Sequence, residues 1–205
     1  MRSWGQLLSR FVDVRYVDSG RRLPEITGKM SGTVRVRTLQ TVGDREIQGL
    51  SDVLIDCVEG GASVSFMLPM PRPKAEAYWR GIAESAARRE RKVLVAEDAA
   101  GVMLGTVQIV LDQPENQPHR GDVSKMLVHR RARKQGVGAA LLAAAERGAL
   151  ELGKTLLVLD TVTGSDGYRL YERGGWQRVG EIPNYALWPG GGLCPTTVFY
   201  KALKG

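Results

Sequence analysis

Between Ala132 and Leu142 the chain reads A-R-K-Q-G-V-G-A-A-L-L, two glycines at the start of an apolar, alanine-rich helical pattern. Glycine lets a backbone turn sharply and approach a ligand without a Cβ clash. The first turn of a helix leaves its N–H groups unpaired and carries partial positive charge, which makes it an anion site. Arg130, Arg131, Arg133 and Lys134 add formal charge where a phosphate would dock. The G-x-x-x-x-G-K-[ST] spacing of a Walker loop is absent, and so are the third glycine and distant acidic strand end of a dinucleotide fingerprint. The segment from Asp122 to Leu142 therefore reads as strand, glycine turn and helix start, gripping the pyrophosphate of a nucleotide-bearing cofactor.

Other chemistries find little support. Two cysteines, Cys57 and Cys194, and two histidines, His119 and His129, have no metal-ligand spacing, so no metal site is expected. Cys57 falls at an apolar helical position, as core filler does. His129 is flanked by Arg130 and Arg131 and reads as a surface residue. The run Arg88-Arg89-Glu90-Arg91-Lys92 reads as a solvated helix end. No apolar run reaches the roughly 18 residues of a membrane span, and the N-terminus lacks a signal-peptide core, so a reducing cytoplasm is the expected compartment.

The net charge of +7 and pI near 9.6 favour anionic partners. Residues 1–32 hold six cations (Arg2, Arg10, Arg15, Arg21, Arg22, Lys29) against three carboxylates (Asp13, Asp18, Glu25), leaving +4 for the rest. This stretch reads as a poorly ordered or surface-packed extension, with Met30 as an alternative start. A domain over 33–205 follows.

The cradle must be held by the elements around it. Val34–Leu39 alternates with period two, as a strand does. Asp44 is a suitable N-cap for a helix whose face carries Ile47, Leu50, Val53, Leu54, Cys57 and Val58. Gly60–Ser63 breaks that helix, and Pro71 and Pro73 open a second one with Ala75, Trp79, Ile82, Ala83 and Ala86 on one face. Lys92–Glu97 and Val102–Leu111 form a hairpin about the Asp98–Gly101 turn. A strand at Val123–Val128, a helix over Val137–Leu152 and a strand at Thr155–Asp160, apolar enough for burial on both faces, come next. A short helix at Asp166–Arg173 and strands near Gln177–Ile182 and Thr196–Ala202 complete the chain. The order specifies one mixed α/β domain around a central sheet.

With these elements in place, two motifs resemble the GCN5-related N-acetyltransferase (GNAT) superfamily. Its Q/R-x-x-G-x-G/A signature is met by Arg133-Lys134-Gln135-Gly136-Val137-Gly138. Its Y-x-x-x-G-F signature is met closely by Tyr171-Glu172-Arg173-Gly174-Gly175-Trp176. The resemblance covers about Thr33 to Leu203. Within the superfamily the chain looks most like tabtoxin-resistance-type small-molecule acetyltransferases, through Gly60–Met67, Val179–Pro183 and Pro195–Leu203. Gly164 stands where many members carry Asn.

The resemblance implies an α/β GNAT fold: about seven strands in a mixed sheet, splayed between the fourth and fifth, with about four helices. It implies acetyl-CoA as donor, with Met126, Leu127 and Val128 holding the pantetheine arm. The pyrophosphate would lie on Arg133, Lys134, Gln135, Gly136, Val137, Gly138 and Ala139. Glu59, Ser63 and Phe66 would line the acceptor pocket, and Tyr185 and Trp188, on a glycine-rich loop, would cover it.

Acetyl transfer sets further demands. The attacking amine must be neutral, the oxyanion needs a donor such as the N–H near Leu127, and the departing thiolate gains from a proton. A phenol with an ordinary pKa near 10 suits that last task, and with the Y-x-x-x-G-F match this makes Tyr171 the candidate acid, its alternative role being an aromatic packed under the short helix. Asp160 and Asp122, at predicted strand ends, are the candidate bases. Asp122 has an alternative partner in Arg120, and Asp160 an alternative task in capping a turn.

A small-molecule amine acceptor is thus expected. Acetylation of a peptide or protein amine is the alternative and would need an open groove. A basic nucleic-acid-binding module is a third reading, opposed by dispersed charge and the lack of a groove-reading motif or aromatic platform. Thr196–Ala202 could pair across a homodimer.

Overall fold

The computed structural model describes residues 14–16 and 34–204. Eight strands form one sheet in the order β1-β2-β3-β4-β5-β6-β8-β7. They are β1 (Val14–Tyr16), β2 (Val34–Thr38), β3 (Arg91–Glu97), β4 (Met103–Val110), β5 (Arg120–Val128), β6 (Leu156–Val162), β7 (Gln177–Leu187) and β8 (Leu193–Ala202). Four helices flank them: α1 (Asp44–Glu59), α2 (Arg72–Ala87), α3 (Val137–Leu150) and α4 (Asp166–Arg173). The seven expected strands are all present. β1, from the stretch read as an extension, adds an eighth by parallel pairing with β2. The remainder of residues 1–32 lies outside the described residues.

The middle of the sheet, β3 and β4, is buried on both faces, and β3 shows how its sequence achieves this. Val93 and Val95 pack with α1 and α2, while Leu94 and Ala96 pack with α3. Successive side chains point to opposite faces, so a continuous apolar run fits a strand covered on both sides. Trp79 of α2 and Leu141 of α3 are both fully buried, one in each layer.

Three local expectations need correction. Asp44 is the first residue of α1 rather than its cap. Gly43 holds the cap position, and its N–H donates to the Glu46 carboxylate at 3.3 Å. β6 is not buried on both faces: Leu157 and Leu159 are buried but Asp160 is exposed. The segment Tyr185–Cys194 is a hairpin rather than a loop, because β7 runs on to Leu187 and β8 starts at Leu193.

The exposure of Asp160 follows from the way the sheet opens. β5 and β6 pair in parallel only over Arg120–Asp122 and Leu156–Val158. Beyond that point the strands diverge, and among the described residues the edge of β5 facing β6 has no strand partner. This is the expected splay between the fourth and fifth strands of the core sheet.

A β-bulge sharpens the divergence. On β5, Leu127 faces Thr106 of β4 but Ser124 faces Gln108, so β5 carries one residue more than its partner there. Lys125 adopts left-handed φ of 49° within this bulge. Gly105 on β4 is required beside it, since a Cβ there would meet the Leu127 carbonyl oxygen at 2.7 Å.

Candidate active site

The cleft opened by the splay has a volume of about 670 Å³. Met126, Leu127 and Val128 form one wall, and Thr161 and Val162 of β6 form the other. The first turn of α3 closes one end. Gly136 precedes that helix with φ of 82°, the left-handed region that glycine enters without a Cβ penalty. The first intrahelical bond runs from Ala140 N–H to the Gly136 carbonyl, so the N–H groups of Val137, Gly138 and Ala139 are left for a ligand. A Cβ on Gly138 would meet Leu170 at 3.2 Å, which shows how closely α3 approaches α4.

The basic run contributes less charge to the cleft than its sequence promises. Arg130 pairs with Asp56 at 2.9 Å, and Arg131 donates to the Met103 carbonyl. Arg133 lines the cleft but turns its Nε onto the Val128 carbonyl at 3.1 Å. Gln135 donates back to the Arg131 carbonyl and, like buried Val137, is not part of the cleft wall. Lys134 does line it, joined by two cations of α4, Arg169 and Arg173. Arg169 is held by Asp166 and by the Gly164 carbonyl, each at 2.7 Å. These α4 cations were not apparent from sequence, where α4 read only as the carrier of Tyr171.

Tyr171 reaches the cleft from α4, whose start is fixed by Ser165 accepting from the Tyr168 N–H at 3.1 Å. Its ring packs beside Trp176 and Phe199, with centroids 5.6 and 6.1 Å away. Burial pushes its phenol above the ordinary value of 10, and the charge of Asp160 pushes the same way. The phenol therefore stays protonated across the physiological range, as a proton donor must.

The two candidate carboxylates are separated by their surroundings. Asp160 Oδ2 accepts from Thr196 Oγ1 at 2.9 Å, and its charge reaches both Tyr171 and Lys125. Asp122 lies in the paired part of β5, ion-paired with Arg120 at 3.3 Å; neither carboxylate is itself part of the cleft wall, but Asp160 immediately precedes the lining residues Thr161 and Val162. The alternative partner named for Asp122 is the one it has. The splay begins one residue too late to free it.

The expected acceptor residues also divide. Ser63 lines the cleft and donates to the Leu187 carbonyl at 2.8 Å, while the Leu68 N–H donates to the Pro189 carbonyl. These bonds seat the β7–β8 hairpin tip on the loop after α1, and Trp188 enters the cleft wall. Phe66, on that loop but outside the cleft wall, stacks edge-on against Tyr78 at 5.1 Å. Glu59 faces a smaller hollow of about 300 Å³ that also holds Asp56 and His129. Tyr185 lies on the exposed strand β7, outside the cleft wall, and does not cover it.

Two further residues differ in surroundings. His129 is not a free surface residue: its Nδ1 accepts from the Arg131 N–H and lies 3.4 Å from Asp56. Burial lowers its pKa, opposed by the charge of Asp56. Cys57 is buried core, with burial raising its thiol pKa, and its Sγ contacts the Val128 carbonyl at 3.5 Å.

A splayed mixed sheet, a bulged strand at the opening and a glycine-led helix start define an α/β fold with an open cleft and a helix N-terminus at its end. The comparisons with known proteins place it within one family. Residues 64–176 match the profile of the acetyltransferase (GNAT) family, and the chain belongs to that family. A curated relative, an uncharacterised N-acetyltransferase of the hisH-hisA intergenic region of Azospirillum brasilense, is 28% identical over 129 residues. That alignment spans 62% of this chain and 74% of the relative.

Solved structures share the fold at low identity. An N-acetyltransferase from Staphylococcus aureus Mu50 aligns with a TM-score of 0.70 at 17% identity, covering 84% of this chain and 99% of that one. YncA from Salmonella typhimurium, solved with its cofactor acetyl-CoA, aligns with a TM-score of 0.69 at 16% identity, covering 84% and 95%. Among the described residues, no helix is long and apolar enough to cross a membrane.

Proposed function

We propose that the protein transfers an acetyl group from acetyl-CoA to a primary amine of a small, amino-acid-like or toxin-like molecule. The observation that carries this reading is the convergence of three features on one cleft: the unpaired edge of β5, the free N–H groups of α3 and the buried phenol of Tyr171. The helix start receives the pyrophosphate, and the edge of β5 receives the pantetheine arm.

The amine nitrogen attacks the thioester carbonyl from the acceptor side. As the C–N bond forms and the C–S bond breaks, the oxyanion is met by an N–H of β5 near Leu127. The thiolate takes the Tyr171 proton, and the proton lost by the amine passes to Asp160 or to water at that carboxylate. Asp122 has no part in this scheme.

The closed acceptor side favours a small molecule over a peptide. Bonds from Ser63 and Leu68 to the hairpin tip bridge the space an extended chain would need. The resemblance of Gly60–Met67 and Pro195–Leu203 to tabtoxin-resistance-type enzymes supports the same choice.

Thermal denaturation with and without acetyl-CoA tests the donor assignment. A ligand at 100 times its Kd stabilises the native state by about 2.7 kcal/mol, which for a domain of this size is a rise of roughly 5–10 °C. An unchanged Tm at millimolar acetyl-CoA would sink the assignment.

A further inference from the structure

Lys125 occupies an unusual position for a charged side chain. It is the left-handed residue of the β5 bulge, immediately before the cleft-lining Met126 and Leu127. A non-glycine residue at positive φ inside a strand is strained, and such strain collects at functional sites. The ammonium is 3.1 Å from Ser65 Oγ and lies over the rings of Phe66 and Tyr78, 5.9 and 6.0 Å from their centroids. Among the described residues, no carboxylate forms an ion pair with it. A cation drawn out of water without an anionic partner is costly.

The groups around it show where that partner would come from. The charge of Asp160 is felt by both Lys125 and Tyr171, so the three lie within electrostatic reach of one another. Arg91 is the other charge felt at Lys125, and its guanidinium is already engaged by Gln108 and Ser85. Burial lowers the Lys125 pKa, with Asp160 opposing and Arg91 assisting, which is the signature of a cation short of counter-charge. Ser65 and Phe66 belong to the loop whose earlier residues, Gly60 to Val64, line the cleft.

We propose that the acceptor is an amine that also bears a carboxylate, an α-amino acid being the smallest example, and that Lys125 binds this carboxylate beside the reacting centre. The ammonium and carboxylate of the acceptor would then meet Asp160 and Lys125 respectively. The inference rests on the acetyl-transfer reading above and narrows its acceptor. Lys125 becomes the specificity-determining residue, its ammonium held over the rings of Phe66 and Tyr78.

The test uses the full chain, acetyl-CoA, and three matched sets of acceptors: α-amino acids, their methyl esters and the corresponding decarboxylated amines. Free-thiol release reports turnover. The free acids are expected to be acetylated with KM values about tenfold or more below those of the matched esters, as a charge-assisted hydrogen bond would give. Lys125→Met should raise KM for the acids about tenfold to a hundredfold, and far more than for the esters, with kcat changed by less than about threefold. Lys125→Arg should recover part of the loss.

A lysine that merely pins the Ser65 loop would raise KM for acids and esters alike, and that result would overturn the proposal. So would esters or decarboxylated amines turning over as well as acids, or no acid acetylated by a chain that binds acetyl-CoA. A missing acetyl-CoA thermal shift would instead remove the acetyl-transfer reading beneath it.

Discussion

In the proposed mechanism Tyr171 carries the heaviest chemical demand of any single residue. Replacing it with Phe removes the proton donor while leaving the ring between Trp176 and Phe199. Turnover should fall by about 100-fold or more, the usual worth of a positioned general acid, with acetyl-CoA affinity changed by less than about threefold. Unchanged kcat would remove Tyr171 from the mechanism. The same substitution has a pH signature. Because the folded phenol titrates above its unfolded value near 10, its stabilising contribution is complete below pH 10 and lost as pH rises through the folded value. Tyr171→Phe should therefore flatten the fall of Tm measured from pH 9 to pH 11.

The residue scale is also where the sequence misled. Arg130, Arg131 and Arg133 have the right type and spacing for phosphate, yet each is engaged by Asp56 or by a main-chain carbonyl. Long side chains carry no record in the sequence of which way they turn, and an unpaired carbonyl in a bulged strand draws a nearby guanidinium. The proposed anion site rests on the backbone N–H groups of Val137, Gly138 and Ala139, whose glycine turn the spacing does encode, with Lys134, Arg169 and Arg173 beside them.

At the scale of elements, the cradle is a joint between β5 and α3, and Gly136 is its hinge point. A Cβ at φ of 82° costs about 1–2 kcal/mol. Gly136→Ala should lower Tm by a few degrees and weaken acetyl-CoA binding in calorimetric titration, since relaxing the strain tilts the first turn of α3 away from the phosphates. Retention of both full stability and full affinity would show that the turn tolerates a side chain and does not set the anion site. The opposite wall is a second joint, between the loop after α1 and the β7–β8 hairpin. Its sequence reads as a loop because Pro189 and three glycines interrupt it, but the flanking residues pair as Ala186 with Cys194 and Leu187 with Leu193.

At the scale of the whole molecule, every residue lining the cleft lies between Cys57 and Trp188. We therefore expect a protein starting at Met30 to keep its acetyl-CoA thermal shift within about 2 °C of the full chain, even if loss of β1 lowers the starting Tm. A shift abolished by this truncation would make the N-terminal stretch part of the active unit. The strand proposed to pair across a dimer cannot do so, because β8 is hydrogen-bonded to β6 on one side and β7 on the other. Among the described residues, the edge strand on that side of the sheet is β7.

The sequence by itself determined the order of elements, the apolar face of each helix, the glycine-led start of α3 and the position of Tyr171 on a short helix. All of these are local: a residue's type and the spacing of its neighbours within a few turns dictate them. The tertiary structure decided which partner each carboxylate takes, where the arginines end, and that Lys125 packs against Ser65, Phe66 and Tyr78. Asp122 and Asp160 look alike as acidic residues in or near strand ends. They differ only because β5 and β6 part after Asp122 and Val158. That divergence is a property of two strands and the helices packed across them, so no stretch of chain short enough to read as a motif contains it.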